Sequence, residues 1–384
     1  MKLIVNKSAL EDCVKNLVRV INPKNALPIL GDILFDVNQK EMTVHMTASD
    51  GEVTMTYHSC LNECEGEGRF CVSGYKLAAM LSEVSEQPVT ITATTESDNV
   101  FTMTYEDGSA FCPIENADEY PMPNAEEYNE TLEQIDGGMV CTALKRTIWA
   151  TTNDELRPVM NGVNFALVDG KLDIVASNGH LLMKTRQYHE GKIEVSRCGS
   201  FIMPKKVAML LMNAVGSSDL LEIGWNDRQA HIFNTGWEMA FRLIEGKYPI
   251  YNSIIPQNPD HEVACQRTDL LSALKAVAPF APESSQLLKL TFTDNKLEVS
   301  GEDYDFAQGA TKSISVEHYG TNELSMSIGL NASSIIAMLS KLNTLLVVLY
   351  FNSPDKAIVI EPVDESNDRK EEITGLLMPM MISE

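Results

Sequence analysis

The sequence predicts an α+β protein made of three similar domains, because three patterns recur in the same order in each third of the chain. The patterns are a hairpin with a polar turn, a short strand that runs into an amphipathic helix, and a closing apolar strand. A chain of 384 residues also exceeds what one hydrophobic core usually supports. We predict domains at 1–125, 135–256 and 261–384, with polar joints near PNAEEYNETLEQIDGG and IPQNPDHE.

The hairpin pattern is an alternation of apolar and polar residues on both sides of a polar turn. It is found in LPILGDILFDVNQKEMTVHMTASDGEVTMTY, RPVMNGVNFALVDGKLDIVASNGHLLMKTR and LLKLTFTDNKLEVSGEDYDFAQGATK. Alternation with a period of two indicates strands that bury one face. We align Met42, Leu172 and Leu297 as equivalent positions of the three hairpins, 130 and then 125 residues apart.

The strand–helix pattern and the closing strand follow each hairpin. CVSGYKLAAMLSEV, IMPKKVAMLLMNAV and SIGLNASSIIAMLSKL place apolar residues at helical spacing, and they align at Met80, Leu210 and Met338. SAFCPI, MAFRLI and GLLMPM then close the repeats. The apolar run GLLMPM is therefore predicted to be, at least partly, a core strand. Each repeat also opens with a strand and a helix, which gives six predicted helices.

The predicted helices are basic, although the whole chain carries a net charge of −24. They hold nine basic and four acidic residues, a net charge of +5 that leaves −29 for the rest of the chain. The basic residues are Lys15, Arg19, Lys76, Lys145, Arg146, Lys205, Lys206, Lys275 and Lys341, and the acidic ones are Glu11, Asp12, Glu83 and Asp269. Lysine is common on solvated helix faces. If all six helices faced one way, however, they would form a basic lining suited to a polyanion.

Composition argues against several protein classes. No apolar run reaches the roughly 18–20 residues that cross a bilayer, and the first residues become charged too early for a signal peptide, so we expect a cytoplasmic protein without membrane contact. Eight cysteines in 384 residues are too sparse for a disulfide scaffold and are expected to be reduced. His58, Cys60, Cys64 and Cys71 form the one cluster of possible zinc ligands, but they lack the short C-x2-C spacing. We therefore expect no metal and no other cofactor.

Motifs for catalysis are scarce. The sequence contains no G-x4-G-K-[ST] loop, no G-x-G-x-x-G after a strand and no H-E-x-x-H, and its carboxylate runs read as solvated loops. His180, in SNGHLLMK, is the one candidate acid–base residue. Two alternatives to a protein that binds a polyanion remain on this evidence: a hydrolase with a cleft around His180 between repeated domains, and a β-rich scaffold that binds only proteins.

Six stretches, taken together and in order, resemble the bacterial DNA polymerase III beta subunit, the replicative sliding clamp family. They are LPILGDILF, NGVNFALVDGKLDIVASNGHLL, FIMPKK, FRLIEGKYPIY, IGLNASSIIAML and LLMPM. The resemblance implies the DNA clamp fold, in which two three-domain chains close head to tail into a ring, helices line the pore and antiparallel sheets lie outside. It also implies a processivity factor without catalytic activity of its own.

The resemblance and the helix charges together suggest which residues face double-stranded DNA, bound without sequence preference. They are Lys24, Lys76, Lys145, Arg146, Lys205, Lys206, Lys275 and Lys341. Phe111 and Phe280 match positions that the family buries between the two chains of the homodimer. The implied protein partners are the replicative polymerase, the clamp loader, repair polymerases and other clamp-binding proteins.

The family also implies a pocket for partner peptides between the second and third domains. The matching residues are Met160, Ser177, Gly179, His180, Leu181, Leu182, Pro249, Ser253, Ile254, Asn331, Ser334, Leu376, Leu377, Met378, Pro379 and Met380. Three features depart from the family pattern. Leu181 stands where an arginine is common, Ser253 stands where a basic residue is frequent, and MISE follows MPM without the usual arginine. We expect these changes to alter peptide preference rather than the location of the pocket.

Overall fold

The computed structural model describes most of the chain at the level of side chains. It describes residues 1–94, 99–122, 130–168, 170–187, 199–256, 258–293, 295–320, 323–363 and 371–382, except for the side chains of residues 130 and 133. Residues 123–129 of the first predicted joint and residue 257 of the second lie outside the described residues.

Six α-helices lie in the described residues, as the sequence predicts. Their bounds are α1 Lys7–Val20, α2 Gly74–Ser82, α3 Gly137–Thr147, α4 Lys205–Ala214, α5 Arg267–Val277 and α6 Ala332–Lys341. Short 3-10 helices lie at Pro28–Gly31, Ala117–Glu119, Ile148–Ala150, Pro158–Asn161, Tyr251–Ser253 and Ala278–Phe280.

The strands fall into three consecutive groups along the chain. The first group is β1 Lys2–Asn6, β2 Asp32–Asn38, β3 Thr43–Ser49, β4 Val53–Cys60, β5 Glu63–Glu65, β6 Gly68–Ser73, β7 Pro88–Thr94, β8 Val100–Tyr105 and β9 Gly108–Glu115. The second is β10 Glu130–Asp136, β11 Gly162–Val168, β12 Lys171–Ser177, β13 Leu181–Gln187, β14 Gly199–Pro204, β15 Leu220–Trp225, β16 Gln229–Phe233 and β17 Trp237–Arg242. The third is β18 His261–Gln266, β19 Leu287–Thr293, β20 Lys296–Asp303, β21 Gln308–Ser315, β22 Glu317–Gly320, β23 Ser325–Asn331, β24 Leu346–Phe351, β25 Ile358–Pro362 and β26 Glu371–Leu377.

The predicted threefold repeat is confirmed by the order of these elements. Each repeat opens with a strand and a helix (β1–α1, β10–α3, β18–α5) and has a second strand–helix pair in its middle (β6–α2, β14–α4, β23–α6). Each repeat closes with three strands, which end in β9, β17 and β26. The helix alignment is also correct, because Leu81, Leu211 and Leu339, each one residue after an aligned position, are completely buried.

The alignment of the hairpins was wrong by two residues in the first repeat. Leu172 pairs with Leu167, and Leu297 pairs with Phe292, at the turn end of their hairpins. In the first repeat the buried residue at this place is Val44, which pairs with Val37. Met42 instead lies in the turn with a φ of +54°, because the first turn is longer than the other two.

The described chain divides into two compact units, 1–141 with 206–243 and 142–205 with 244–384. In the first unit a 13-stranded sheet runs in the order β10-β15-β16-β17-β4-β3-β2-β6-β9-β8-β7-β1-β5. The second unit has a nine-stranded sheet, β14-β11-β12-β13-β26-β25-β24-β18-β22, and a four-stranded sheet, β21-β20-β19-β23. Two units arise from three repeats because β17 pairs with β4 and β13 pairs with β26, so strands of the middle repeat extend the sheets of both neighbours.

The helices bury one apolar face, and Lys7 is the only charged residue of the described helices that is buried. In α1 the side chains of Leu10, Val14 and Leu17 are buried at helical spacing. Within their observed bounds the six helices hold eleven basic and three acidic residues, a net charge of +8. The helices are therefore more basic than the sequence alone indicates, because Lys7 and Arg267 are helical and Glu83 is not.

Candidate functional site

The strand β26 is embedded in the nine-stranded sheet between β13 and β25. Its register on β13 pairs Leu377 with Leu181 and Leu376 with Leu182, and both leucines of β26 are almost completely buried. The backbone N–H of Met378 donates to the carbonyl of His180 at 2.8 Å, so the pairing continues beyond the strand. The prediction that GLLMPM contains a core strand is confirmed. The side chain of Met378 is 40% exposed and marks the point at which this segment reaches the surface.

A tight turn between β12 and β13 presents the side chain of His180. The hydroxyl of Ser177 donates to the carbonyl of Leu181 at 2.7 Å and accepts from the N–H of Gly179 at 3.1 Å. Asn178 Oδ1 accepts from the N–H groups of His180 and Leu181 at 2.9 and 3.0 Å. Gly179 has a φ of +90°, a conformation that favours glycine. The turn is thus held by its own side chains, and the His180 side chain is left exposed.

Sequence reasoning missed Arg157, which lies beside this turn. A Cβ atom on Gly179 would lie 2.7 Å from Arg157 Nη1 and 3.8 Å from Met160 Sδ. Arg157 is exposed, and its Nε donates to the carboxylate of Asp154 at 2.8 Å. A signal was present, since Arg157 stands three residues before Met160 in the quoted hairpin pattern. The site therefore has a cation on its rim even though Leu181 replaces the arginine that the family pattern has next to the histidine.

A cluster of buried apolar side chains packs beneath the turn and β26. Its members are Val175, Leu182, Tyr251, Ala357, Val359 and Leu376, with Tyr248, Ile255 and Tyr350 packed against them. The predicted residues Pro249, Ser253 and Ile254 flank Tyr251 in sequence, and all three are exposed. The Ser253 hydroxyl donates to the carbonyl of Ile250 at 2.7 Å, so it is engaged locally. The buried apolar cluster thus forms the base of the candidate site, and the exposed Pro249, Ser253 and Ile254 lie at its edge.

A buried ion pair anchors the same cluster. Asp173 is completely buried, and its carboxylate accepts from Arg186 Nε at 2.6 Å and from Arg186 Nη2 at 2.8 Å. The hydroxyl of Tyr251 donates to Asp173 at 3.2 Å. The hydrogen bonds from Arg186 to Asp173 raise the pKa of Arg186 further above its ordinary value, against the opposing effect of burial. The pair thus connects β12 and β13 to the segment that carries Tyr251.

The segment after β26 reaches the strand that precedes α6. The N–H of Met380 donates to the carbonyl of Gly329 at 2.8 Å, and a Cβ on Gly329 would lie only 2.5 Å from the Met380 carbonyl. Asn331, two residues further on, caps α6 by accepting from the N–H and the hydroxyl of Ser334, both at 3.0 Å. Asn331 Nδ2 also donates to the carbonyl of Ser285 at 3.1 Å.

All sixteen predicted pocket residues are described, and all lie in the second unit. Direct pairing joins the His180 turn to β26, and the segment that holds Pro379 joins β26 to β23. The geometry therefore brings the sequence-predicted residues into one continuous region of this unit. That this region binds a peptide remains a prediction.

The sequence-predicted basic residues fall into two groups. Lys24, Lys76, Lys145, Lys275 and Lys341 are exposed, Lys205 is half-buried, and none of the six forms an ion pair with a described residue. Arg146 and Lys206 differ, because Arg146 forms an ion pair with Glu371 and Lys206 forms one with Asp50. Lys206 Nζ also donates to the carbonyl of Val20 at 2.8 Å. The charged groups of Arg146 and Lys206 are therefore bound by groups of the protein itself. Contact of these two residues with DNA remains a prediction.

We expect Lys206→Met to lower the free energy of unfolding by about 1–3 kcal/mol at pH 7, because the mostly buried Asp50 carboxylate loses its cation. Burial raises the pKa of Asp50, but hydrogen bonds from Lys206 and two backbone N–H groups outweigh it, and the pKa is lowered. The stabilisation is therefore present above the ordinary pKa and is lost as the pH falls through the lower folded-state value. Urea unfolding at pH 7 and in acid measures both effects.

Lys205→Met is the matched control, because Lys205 precedes Lys206 in the same helix and forms no ion pair with a described residue. This variant should change the free energy of unfolding by no more than about 0.5 kcal/mol. Equal losses in the two variants would contradict the structural role of Lys206.

The two phenylalanines predicted at the homodimer interface are accessible in the single chain. Phe111 is 75% exposed on β9, and Phe280 is 38% exposed after α5. Among the described strands, β9 pairs with β6 only at residues 114 and 115, so the part of β9 that carries Phe111 pairs with β8 alone. β21 is an edge of the four-stranded sheet.

Metal-site and catalytic signals are weak in the described part of the chain. No group of three or more His, Cys, Asp or Glu side chains there is arranged to hold a metal ion. No described cysteine, including Cys60, Cys64 and Cys71, is joined in a disulfide. The His180 imidazole makes no hydrogen bond to a described residue, so no described carboxylate orients it as in a catalytic triad. No described helix has the length and apolar character needed to span a membrane.

Comparison with known proteins gives matches over the whole chain. Three domain models of one family match in order: the N-terminal domain of the DNA polymerase III beta subunit at residues 1–124, its central domain at 134–250 and its C-terminal domain at 252–381. The beta sliding clamps of Synechococcus elongatus and Haemophilus influenzae are 23% and 22% identical over 387 and 389 aligned residues, with complete coverage of both chains in each case.

Solved structures show the same fold. A sliding clamp of Pseudomonas aeruginosa bound to griselimycin superposes with a TM-score of 0.91 at 18% identity, and the DNA polymerase III beta subunit of Thermotoga maritima does so with 0.87 at 21%. Both alignments cover all of both chains. The predicted α+β fold of three similar clamp domains is thereby confirmed. The three matched domain models together span nearly the whole chain, which therefore belongs to the DNA polymerase III beta subunit family.

Proposed function

We propose that this chain is a replicative sliding clamp that encircles double-stranded DNA and tethers the replicative polymerase and other DNA-processing proteins. The observation that carries the proposal is the match of three consecutive beta-subunit domains along almost the entire chain. The clamp is a processivity factor that acts in the cytoplasm and has no catalytic activity of its own. Its domains are those predicted from the sequence, 1–125, 135–256 and 261–384.

The distribution of charge supports DNA binding by encirclement. The helices carry a net charge of +8 in a chain of −24, and five of the predicted DNA-facing lysines are exposed. In the proposed ring the helices line the pore and the sheets lie outside. Lysines in such a lining attract phosphates without reading bases, so the duplex is held weakly and without sequence preference. Weak attraction allows sliding, and closure of the ring prevents loss of the DNA.

The ring requires two chains that pair head to tail through two different surfaces. Phe111 lies on the part of β9 that pairs only with β8 among the described strands, and Phe280 lies near the four-stranded sheet whose edge is β21. Partly unpaired strands and exposed phenylalanines can be covered by a second copy of the chain. We propose that these two surfaces form the homodimer interface.

The second unit supplies the protein-binding site. Leucine and methionine side chains form an adaptable apolar surface that can receive short motifs from different proteins. The exposed Met378 and Ile254 stand beside a buried cluster that is fixed by Tyr251 and Asp173. We assign to this pocket the replicative polymerase, the clamp loader and repair polymerases, which then compete for one site.

The test of encirclement compares nicked circular duplex with linear duplex of the same sequence, in the presence of a clamp loader and ATP. We expect the protein to remain on the circle and to escape from the linear ends. Lys76→Glu, Lys275→Glu and Lys341→Glu combined should reduce loading at least about tenfold, because the helices lose their unpaired cations. Lys40→Glu, Lys289→Glu and Lys356→Glu, which change exposed lysines outside the helices by the same charge, should load almost normally.

Three results would contradict the proposal. They are equal retention on circular and linear DNA, equal loading by the two triple variants, and a permanently monomeric mass on gel filtration. Hydrolysis of a substrate that is lost on His180→Ala would instead support an enzyme.

A further inference from the structure

One face of the β3–β4 hairpin carries four pairs of directly opposed polar residues. The pairs are Ser49 with Thr54, Thr47 with Thr56, His45 with His58, and Thr43 with Cys60. The hydroxyl pairs form mutual hydrogen bonds of 2.8 and 3.0 Å. The two imidazole rings have centroids 4.5 Å apart and planes at 81° to each other. The histidine pair is the one pair of the four whose members are both strong metal ligands.

The distance between the rings fits a chelated metal ion. A metal ion bound about 2.0–2.1 Å from one nitrogen of each ring lies about 3.2 Å from each centroid. When the nitrogen–metal–nitrogen angle is about 90°, the two ring centroids are about 4.5 Å apart. A tetrahedral nitrogen–metal–nitrogen angle places the centroids about 5.2 Å apart. The observed 4.5 Å matches the right-angle arrangement. This arrangement is the one that Cu²⁺ and Ni²⁺ favour with nitrogen and oxygen ligands.

Carboxylates flank the histidine pair on both sides. Asp36 of β2 is directly opposite His45, and its side chain is half exposed, 3.7 Å from Arg69 Nε. On β17, Glu238 is opposite Thr56, one pair away from His58. Each carboxylate also has a basic neighbour in the protein, Arg69 for Asp36 and His231 Nε2 at 3.3 Å for Glu238, and the negative charge that remains attracts a cation to this face.

We propose that His45 and His58 chelate a divalent transition-metal ion, with Ni²⁺ or Cu²⁺ favoured and water in the remaining positions. Asp36 and Glu238 contribute negative charge from outside the coordination shell. The site is a two-residue chelate, in keeping with the absence of larger ligand groups in the described part of the chain. The cysteines near His58 are not part of it: Cys71 is completely buried on β6, and Cys60, although exposed on β4, forms no group of three possible ligands with the two histidines in the described part of the chain. A bound ion links β3 to β4 and stabilises the folded state by mass action.

The test titrates untagged protein with NiCl₂ by isothermal calorimetry and by thermal unfolding. The wild type should bind about one equivalent, and His45→Gln and His58→Gln should each weaken binding at least about tenfold. Thermal unfolding should shift upward with Ni²⁺ in the wild type alone of these three proteins. Circular dichroism checks that both variants are folded.

His318→Gln is the matched control. His261 and His318 form a second cross-strand pair, but Nδ1 of His261 and Nε2 of His318 already share a hydrogen bond of 3.2 Å. This variant should bind Ni²⁺ as the wild type does. Binding that is lost in His318→Gln and kept in His45→Gln would overturn the assignment.

A measurement on the wild type alone keeps the proposal testable even if a variant fails to fold. Bound Ni²⁺ should protect His45 and His58 from diethyl pyrocarbonate, with the modified residues identified by mass spectrometry. The proposal would be contradicted if the protein did not bind Ni²⁺ at about 1 mM, or if Ni²⁺ protected only other histidines.

Discussion

Deletion of Met378–Glu384 should reduce the affinity for a clamp-binding peptide of the replicative polymerase by at least about a hundredfold. The deletion removes the exposed Met378 and the segment that links β26 to β23 through Met380 and Gly329. It leaves Leu376 and Leu377 paired with β13, so the sheet itself is retained. Peptide binding is measured by fluorescence anisotropy, and dimer mass by gel filtration.

Two single substitutions separate lost contacts from altered folding. Met378→Ala removes an exposed side chain and should weaken peptide binding by about 1–2 kcal/mol without changing thermal unfolding. Met209→Ala is the control, because Met209 is a similarly exposed methionine on α4, outside the predicted pocket. The pocket assignment fails if the deletion variant binds peptide as the full chain does, or if both methionine variants lose affinity equally.

Asp173→Ala should destabilise the second unit by about 3–5 kcal/mol. The substitution leaves the Arg186 guanidinium without its buried partner and removes the acceptor of the Tyr251 hydroxyl. Because Tyr251 belongs to the apolar cluster beneath the pocket, peptide affinity should fall together with stability. Differential scanning calorimetry measures the loss, and hydrogen–deuterium exchange should show it first in β12 and β13.

Asp154→Ala is the matched control for Asp173→Ala. Asp154 also forms an ion pair with an arginine in the second unit, but both partners are partly exposed to solvent. Such a pair contributes little to stability because water and salt screen it. Comparable destabilisation by the two variants would show that burial of the Asp173–Arg186 pair has no special importance.

Local sequence patterns were sufficient to predict the repeats and the nature of each element. The alternation around Leu172 and Leu297 predicts strands correctly, and the spacing of apolar residues in the helices predicts the buried Leu211 and Leu339. These patterns succeed because burial of one face requires a fixed periodicity within a short stretch. The first hairpin was misaligned because the longer turn around Met42 has no periodic signal.

Contacts between distant parts of the chain were beyond the reach of these patterns. Nothing in the periodicity of β4 or β17 indicates that they pair, so the two-unit organisation emerged only from the structure. Lys205 and Lys206 are adjacent and chemically alike, yet only Lys206 forms an ion pair with Asp50. Arg157 likewise reaches the His180 turn through the fold rather than through sequence proximity.

The position of β26 inside the nine-stranded sheet has a consequence for biosynthesis. Its partner β13 leaves the ribosome about 190 residues earlier and must wait for residues 371–377 before that side of its backbone is paired. Pairing at such a separation is intrinsically slow and leaves a strand edge open to aggregation. The His180 turn also acquires its neighbour Met378 only at this last step. If this region is the partner pocket that we propose, a nascent chain that lacks residues 371–378 has no complete surface for partner peptides.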